Sequence, residues 1–120
     1  MSEHPQPVLI VEKKDDLLIF TLNRSDNANA LNPELVEALL HEIDKAVDIR
    51  LCVIRGNGRH FCAGFDLSDI EQCSDGDVLW RILRIELMLQ AVHHAPFPIV
   101  PLAHNHVIVA GADLFAAGWL

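Results

Sequence analysis

Leu51-Cys52-Val53-Ile54, followed by Gly56-Asn57-Gly58 and then His60-Phe61-Cys62-Ala63-Gly64-Phe65-Asp66-Leu67, is a short apolar run that empties into a glycine-bounded loop. An apolar run of this length suits a buried strand, and the glycines suit a loop at its carboxyl end. Ligands of α/β sheets commonly sit outside that end of the strands. Upstream, Val8-Leu9-Ile10-Val11 and Leu17-Leu18-Ile19-Phe20-Thr21-Leu22 flank the charged Lys13-Lys14-Asp15-Asp16 and predict a β-hairpin. The polar stretch Asn23-Arg24-Ser25-Asp26-Asn27 reads as a loop, after which Asn32-Pro33 supplies a cap and a first-turn proline. The helix that follows should run to about Val47. Its apolar positions Leu35, Leu39 and Ile43, with Val36, Leu40 and Val47, recur every three or four residues, while Glu34, Glu37, Glu42 and Asp44 take the other side.

Downstream of the loop, a second helix is expected from about Asp77 to His93, with a broad stripe of Val78, Ile82, Ile85, Leu89 and Val92 joined by Leu79, Leu83 and Met88. Ala95-Pro96-Phe97-Pro98 stops it. Ile99-Val100-Pro101-Leu102-Ala103 reads as a strand in which Pro101 marks an edge, bulge or bend. A loop from His104 to Val109 precedes Gly111 and a small-residue helix, Ala112 to Leu120, which ends without a glycine cap or polar stop, unlike a complete domain. The order is hairpin, helix, strand, loop, helix, strand, loop and helix start, and the fold class is α/β.

Composition bounds the partners. The chain has 120 residues, 51% of them hydrophobic, which places it among globular proteins as a single domain or part of one. Its formal charge of -8 offers no basic stripe to nucleic acid or anionic lipid. The first residues, Met1-Ser2-Glu3-His4-Pro5, do not begin a secretory leader, and no apolar run is long enough for a membrane helix. Cys52, Cys62 and Cys73 form an odd, widely spaced set that fits free thiols in a reducing compartment. A soluble, cytoplasmic protein is expected.

Chemistry can come from the two strand-to-loop junctions, Ile54 to Leu67 and Ala103 to Asp113. Each places backbone N–H groups at a bend, and such groups can stabilise an oxyanion. Taken alone, glycine-containing loops of this kind more often serve turn geometry and packing.

Three matches in register go further. Leu22-Asn23-Arg24 with Asn29-Ala30-Leu31-Asn32, then Phe61-Cys62-Ala63-Gly64-Phe65-Asp66-Leu67, then Pro98 with its apolar strand and small-residue loop, resemble the enoyl-CoA hydratase/isomerase (crotonase) superfamily. The resemblance covers the N-terminal half of a typical member. It implies a crotonase-like α/β spiral core and an acyl-CoA or enoyl-CoA thioester as ligand, with coenzyme A part of the substrate and no separate cofactor. It also implies that the thioester carbonyl is polarised by the backbone N–H of Phe65, the residue after the loop glycine, and of Ala110, the middle of the second loop's triplet. That triplet reads Val109-Ala110-Gly111 where the family carries glycines, and His104-Asn105-His106 replaces an upstream Asn-Gly. Asp113 stands where hydratases carry a glutamate that handles water, one methylene shorter, and an alternative role is as partner of a helix dipole. The family's second catalytic glutamate falls beyond residue 120.

Coenzyme A itself is implied to run past Asn29, Ala30 and Leu31 and past Ala63, Gly64, Asp66 and Leu67, largely by backbone contacts. Arg24 and Arg59 are candidates for its phosphates or are solvated surface charges, and Asp66 reads more readily as a helix cap. No metal is expected, since neither His60-x-Cys62 with Cys73 nor His104-x-His106 has four-ligand spacing. Cys62 lacks an assigned activating histidine. Family members form trimers and hexamers, so a homo-oligomer is a possible state. The leading expectation is water addition to an enoyl-CoA, with a non-catalytic acyl-CoA binder or truncated fragment as the alternative.

Overall fold

The computed structural model describes residues 6–102, and within them the chain forms a four-stranded sheet covered by two helices. Strands β1 (Leu9–Lys14) and β2 (Leu17–Leu22) make an antiparallel hairpin, in register from Leu9 opposite Leu22 to Lys14 opposite Leu17. Lys13 and Lys14 therefore belong to the strand, and only Asp15 and Asp16 turn the chain, Asp15 taking a left-handed φ of 56°. Asp tolerates that conformation better than most residues. After β2 come helix α1 (Pro33–Lys45), strand β3 (Leu51–Gly56), helix α2 (Asp75–His93) and strand β4 (Ile99–Leu102). The sheet order is β1-β2-β3-β4, with β3 parallel to β2 and β4 parallel to β3. Pro101 sits opposite Ile54 in β4, which pairs with β3 alone among the described residues, so its missing N–H faces no ladder there.

Helix α1 starts as its sequence dictates: the Asn32 side chain accepts the Leu35 N–H at 2.9 Å and Pro33 occupies the first turn. It ends at Lys45, short of Val47, because the chain there turns to hydrogen-bond Asp16 O through the Arg50 N–H at 2.9 Å and enter β3. Val47 is left exposed. Helix α2 begins two residues before the expected Asp77. Ser74 and Asp77 form a reciprocal capping box, which binds two of the otherwise unpaired first-turn donors.

One face of the sheet packs on both helices. Leu18, Phe20 and Leu22 of β2, Cys52 and Ile54 of β3 and Ile99 of β4 join Leu35, Val36, Leu39 and Ile43 of α1 and Ile85, Met88 and Val92 of α2 in one buried cluster. The α2 stripe is narrower than its apolar residues allow: Leu79, Ile82 and Leu83 are about half exposed or more, together with Trp80 and Leu87. Among the described residues, no helix is long and apolar enough to cross a membrane.

Gly56, the last residue of β3, decides how the next loop leaves the sheet. A Cβ there would strike the backbone oxygens of His60 and Phe61 and the Phe61 Cα, all closer than real atoms approach. Backbone cannot yield as a side-chain tip can. Gly56→Ala is expected to lower stability by about 1–3 kcal/mol, the usual cost of overpacking, read as an earlier midpoint in urea. An unchanged midpoint would mean that the 56–61 crossing is looser than described.

Candidate functional site

The loop after β3 is rooted in the core by Phe61 and Cys62, both fully buried, and then runs beside the segment that precedes α1. The two segments form a pair of rails. The Ala63 N–H donates to Ala28 O at 3.0 Å, the Leu31 N–H to Gly64 O at 2.7 Å, and the Asp66 N–H to Leu31 O at 3.2 Å. Leu31 and Phe65 thus form a parallel bridge in which Leu31 supplies both the donor and the acceptor. In such a bridge the opposing residue's own N–H and C=O project to the other side of its rail. The Phe65 N–H accordingly has no acceptor among the described residues. Gly64, immediately before it, has a φ of 92°, a conformation that side chains rarely adopt, and this turns the rail.

Polar side chains beneath the rails fix their separation. Asn29 is fully buried with a left-handed φ of 55°. Its Nδ2 donates to Asn57 O at 2.9 Å and to His60 O at 2.8 Å, while its Oδ1 accepts the Arg24 N–H at 2.7 Å. Asn57 is held in turn by its N–H to Leu22 O and its Nδ2 to Asn23 Oδ1, which ties the loop to the end of β2. Arg24 turns inward. Its Nη1 donates to Ala30 O on one rail and pairs at 2.9 Å with the Asp66 carboxylate on the other, the two side chains being 13% and 6% exposed.

Burial pushes the Asp66 carboxyl up, but the Ser68 N–H, the Ser68 hydroxyl and the Arg24 guanidinium outweigh it and hold the group below its ordinary value. Asp66 Oδ1 accepts the Ser68 N–H at 2.9 Å, so it closes a local turn instead of capping a helix. Farther along, Arg81 of α2 grips Asp69 through two bonds of 2.8 and 2.9 Å, securing the downstream end of the loop to the helix.

The expected ligand-contact residues Asn29, Ala30, Leu31, Ala63, Gly64, Asp66 and Leu67 are therefore brought together, with Phe65 among them. Ala30, Leu31, Gly64 and Asp66 are buried, Ala63 is half-buried, and Leu67 is exposed. The Asn29 side chain is consumed internally, so it has nothing to offer a ligand except backbone. Arg24 is neither the solvated charge nor the outward phosphate partner that its loop position indicates, because its guanidinium serves the rails. Arg59 is exposed. Ala110, Asp113, His104 and His106 lie outside the described residues. Burial raises the Cys62 thiol to about 11 against the opposing backbone hydrogen bond of Gly64, which keeps it protonated at neutral pH and unsuited to nucleophilic work. An open groove of about 540 Å³ between the C-terminal ends of α1 and α2 contains no residue of 60–67. A smaller cavity of about 300 Å³ reaches Leu31 and is walled by Pro33, Val36, Trp80 and Ile85.

Asn57 and Gly56 shape the candidate site, yet pattern reading assigns them only to a strand ending. Asn57 matters through a bond to Asn29 28 residues away and Gly56 through the close crossing of His60 and Phe61, contacts that no helix or strand periodicity encodes.

This is an α/β protein whose candidate site is a pair of backbone rails at the carboxyl end of a central strand. The family model for enoyl-CoA hydratase/isomerase matches residues 17–118. The chain is 38% identical over 115 residues to the enoyl-CoA hydratase EchA19 of Mycobacterium tuberculosis, covering 90% of this chain and 43% of that protein. It is 34% identical over 111 residues to the 2,3-dehydroadipyl-CoA hydratase of Escherichia coli, covering 88% and 42%. A crystal structure from Bordetella parapertussis, described as an enoyl-CoA hydratase/isomerase, superposes with a TM-score of 0.90 at 45% identity, covering 93% of this chain and 48% of that one. The chain belongs to the enoyl-CoA hydratase/isomerase family, and its fold is the N-terminal part of the crotonase fold. It spans less than half the length of the curated relatives it matches.

Removing the guanidinium would leave Asp66 a buried charge without its partner, so Arg24→Ala is expected to cost about 3 kcal/mol or more of stability, measured by urea unfolding. The ionised Asp66 stabilises the fold. Its contribution is complete above the unfolded carboxyl value of about 3.9 and is lost as pH falls through the lower folded value. Asp66→Asn is thus expected to flatten the loss of stability below about pH 4, with Glu37 and Asp69, both also held low by arginines, supplying what remains of the slope. An acid limb identical to that of the unaltered protein would assign the pH dependence to those two groups alone.

Proposed function

We propose that this chain binds the thioester end of an acyl-CoA and polarises its carbonyl through the Phe65 backbone N–H, one half of an oxyanion hole. The observation that carries this reading is the Leu31–Phe65 bridge, which occupies Leu31 on both sides and leaves the Phe65 amide directed away from its partner rail. An amide held in place by its neighbours' bonds and not spent on one of its own costs nothing to reorganise when charge appears on a carbonyl oxygen. The enoyl-CoA hydratase/isomerase relatives make a CoA thioester the fitting ligand. Its acyl and pantetheine segments would follow Ala30, Leu31, Ala63 and Gly64, largely along backbone, with the exposed Leu67 as an apolar contact and the exposed Arg59 as a cation for phosphate.

In this reading Ala110 provides the second donor, and Asp113 serves as the acid or base that delivers water to the double bond of an enoyl-CoA. Two donors are each worth about a hundred- to thousandfold in rate when preorganised, and a positioned carboxyl adds about a hundred- to ten-thousandfold. The three free thiols fit a reducing compartment such as the cytoplasm.

The coverage favours a second reading. In that reading the chain binds a CoA ester without turning it over, which fits a span of 43% of a relative's length. Hydration of crotonyl-CoA, followed as loss of the conjugated thioester absorbance, separates the two. Saturable turnover that falls about a hundredfold or more in Asp113→Ala is expected for the enzyme, and turnover unchanged in that variant removes Asp113 from the mechanism. For the binder, CoA esters raise the melting temperature by mass action while absorbance stays constant. No thermal shift at millimolar ester would contradict both.

A further inference from the structure

Arg24 lies outside the rails but touches both. Its Nη1 reaches the Ala30 carbonyl, one residue before Leu31, and the Asp66 carboxylate, one residue after Phe65. Its backbone N–H and C=O are bound as well, to Asn29 Oδ1 at 2.7 Å and by the Asn29 N–H at 2.9 Å. The Leu31–Phe65 bridge is therefore flanked by one cationic crosspiece whose own backbone is locked. Rails this short, joined otherwise by three peptide hydrogen bonds at 2.7 to 3.2 Å, would tilt or slide if their flanking anchors were released.

From this juxtaposition we infer that Arg24 is a positioning residue: it holds the Ala30 and Asp66 rails at the spacing that aims the Phe65 N–H at a bound thioester carbonyl. The inference rests on the reading of Phe65 as the carbonyl's donor. It separates Arg24 from any part in binding phosphate, since the guanidinium faces inward and is mostly covered. A displacement of about 1 Å at such a donor can cost on the order of a hundredfold in rate, and in a binding equilibrium it removes one hydrogen bond to the carbonyl, about a tenfold effect.

The test compares butyryl-CoA with its thioether S-butyl-CoA, which lacks the carbonyl oxygen and is otherwise alike, by calorimetric titration. The unaltered chain is expected to prefer the thioester about tenfold. In Arg24→Met the thioether affinity should hold while the preference collapses towards one, and Arg24→Lys, which keeps the charge and a donor of shorter reach, should restore part of it. Should Arg24→Met fail to fold, Asp66→Asn removes the charge at the other end of the crosspiece and is expected to lower the same ratio. A folded Arg24→Met or Asp66→Asn with the full preference overturns the inference. Equal loss of affinity for both ligands in Arg24→Met also overturns it, because that pattern belongs to a phosphate contact or a general loosening. Absence of any preference in the unaltered chain instead removes Phe65 as the donor, and the positioning role goes with it.

Discussion

The arrangement at the carboxyl end of β3 depends on one constraint: two backbone segments distant in sequence must run parallel for a few residues, joined through both sides of Leu31 and by the Ala63–Ala28 bond. Even a longer ladder would leave Phe65 unpaired on that side, because the residues of a parallel pair alternate in the direction their N–H and C=O face. The bridge stops at one residue pair because Gly64 turns the rail on one side and the Asp66–Ser68 turn closes it on the other. Both features are local chemistry, a glycine with a left-handed φ and an Asp that binds the backbone two residues on. Together they keep the bridge to one pair, and the parallel alternation leaves the Phe65 amide facing away from it.

Holding such a short pairing in place requires anchors stronger than its own few bonds. The core provides the lower ones, through Phe61 and Cys62 packed among Phe20, Leu22, Ile54 and Leu35. Buried polar groups provide the rest. Asn29 satisfies its side chain with three backbone partners, and no buried side-chain polar atom among the described residues is left unpaired. The Arg24–Asp66 pair costs desolvation on both sides, and a buried pair of this sort is weak evidence for net stability. Its value lies in geometry, because apolar replacements would pack without fixing the distance between the rails.

Much of this was readable from residue pattern. The β-rich runs around Asp15-Asp16, the Asn32-Pro33 start and the apolar run at Leu51 identify the hairpin, α1 and β3, since each is encoded within a few neighbours. The loop at 60–67 is recognisable by its family motif, and that resemblance agrees with the family match and the fold. The ends of elements were less legible. Val47 continues the α1 period but is released by the backbone bonds from Arg50 to Asp16, and the Ser74 cap advances the start of α2. Arg24 was the least legible residue: in a polar loop it reads as a surface cation, and only the fold brings Ala30 and Asp66 to either side of it. The wide apolar circumference of α2 likewise shows one face buried on α1, while Leu79, Trp80, Leu83 and Leu87 stay exposed in the described residues.

In the proposed mode of binding, the Phe65 amide, left out of the bridge, meets the thioester carbonyl. Amide chemical shifts of the isotopically labelled chain, recorded with butyryl-CoA and with S-butyl-CoA, test it most directly. The Phe65 amide proton is expected to shift downfield with the thioester and not with the thioether, while the Leu31 and Asp66 amides, already bonded within the rails, barely respond. A Phe65 amide that moves equally with both ligands, or with neither while the ligand is demonstrably bound, would contradict it.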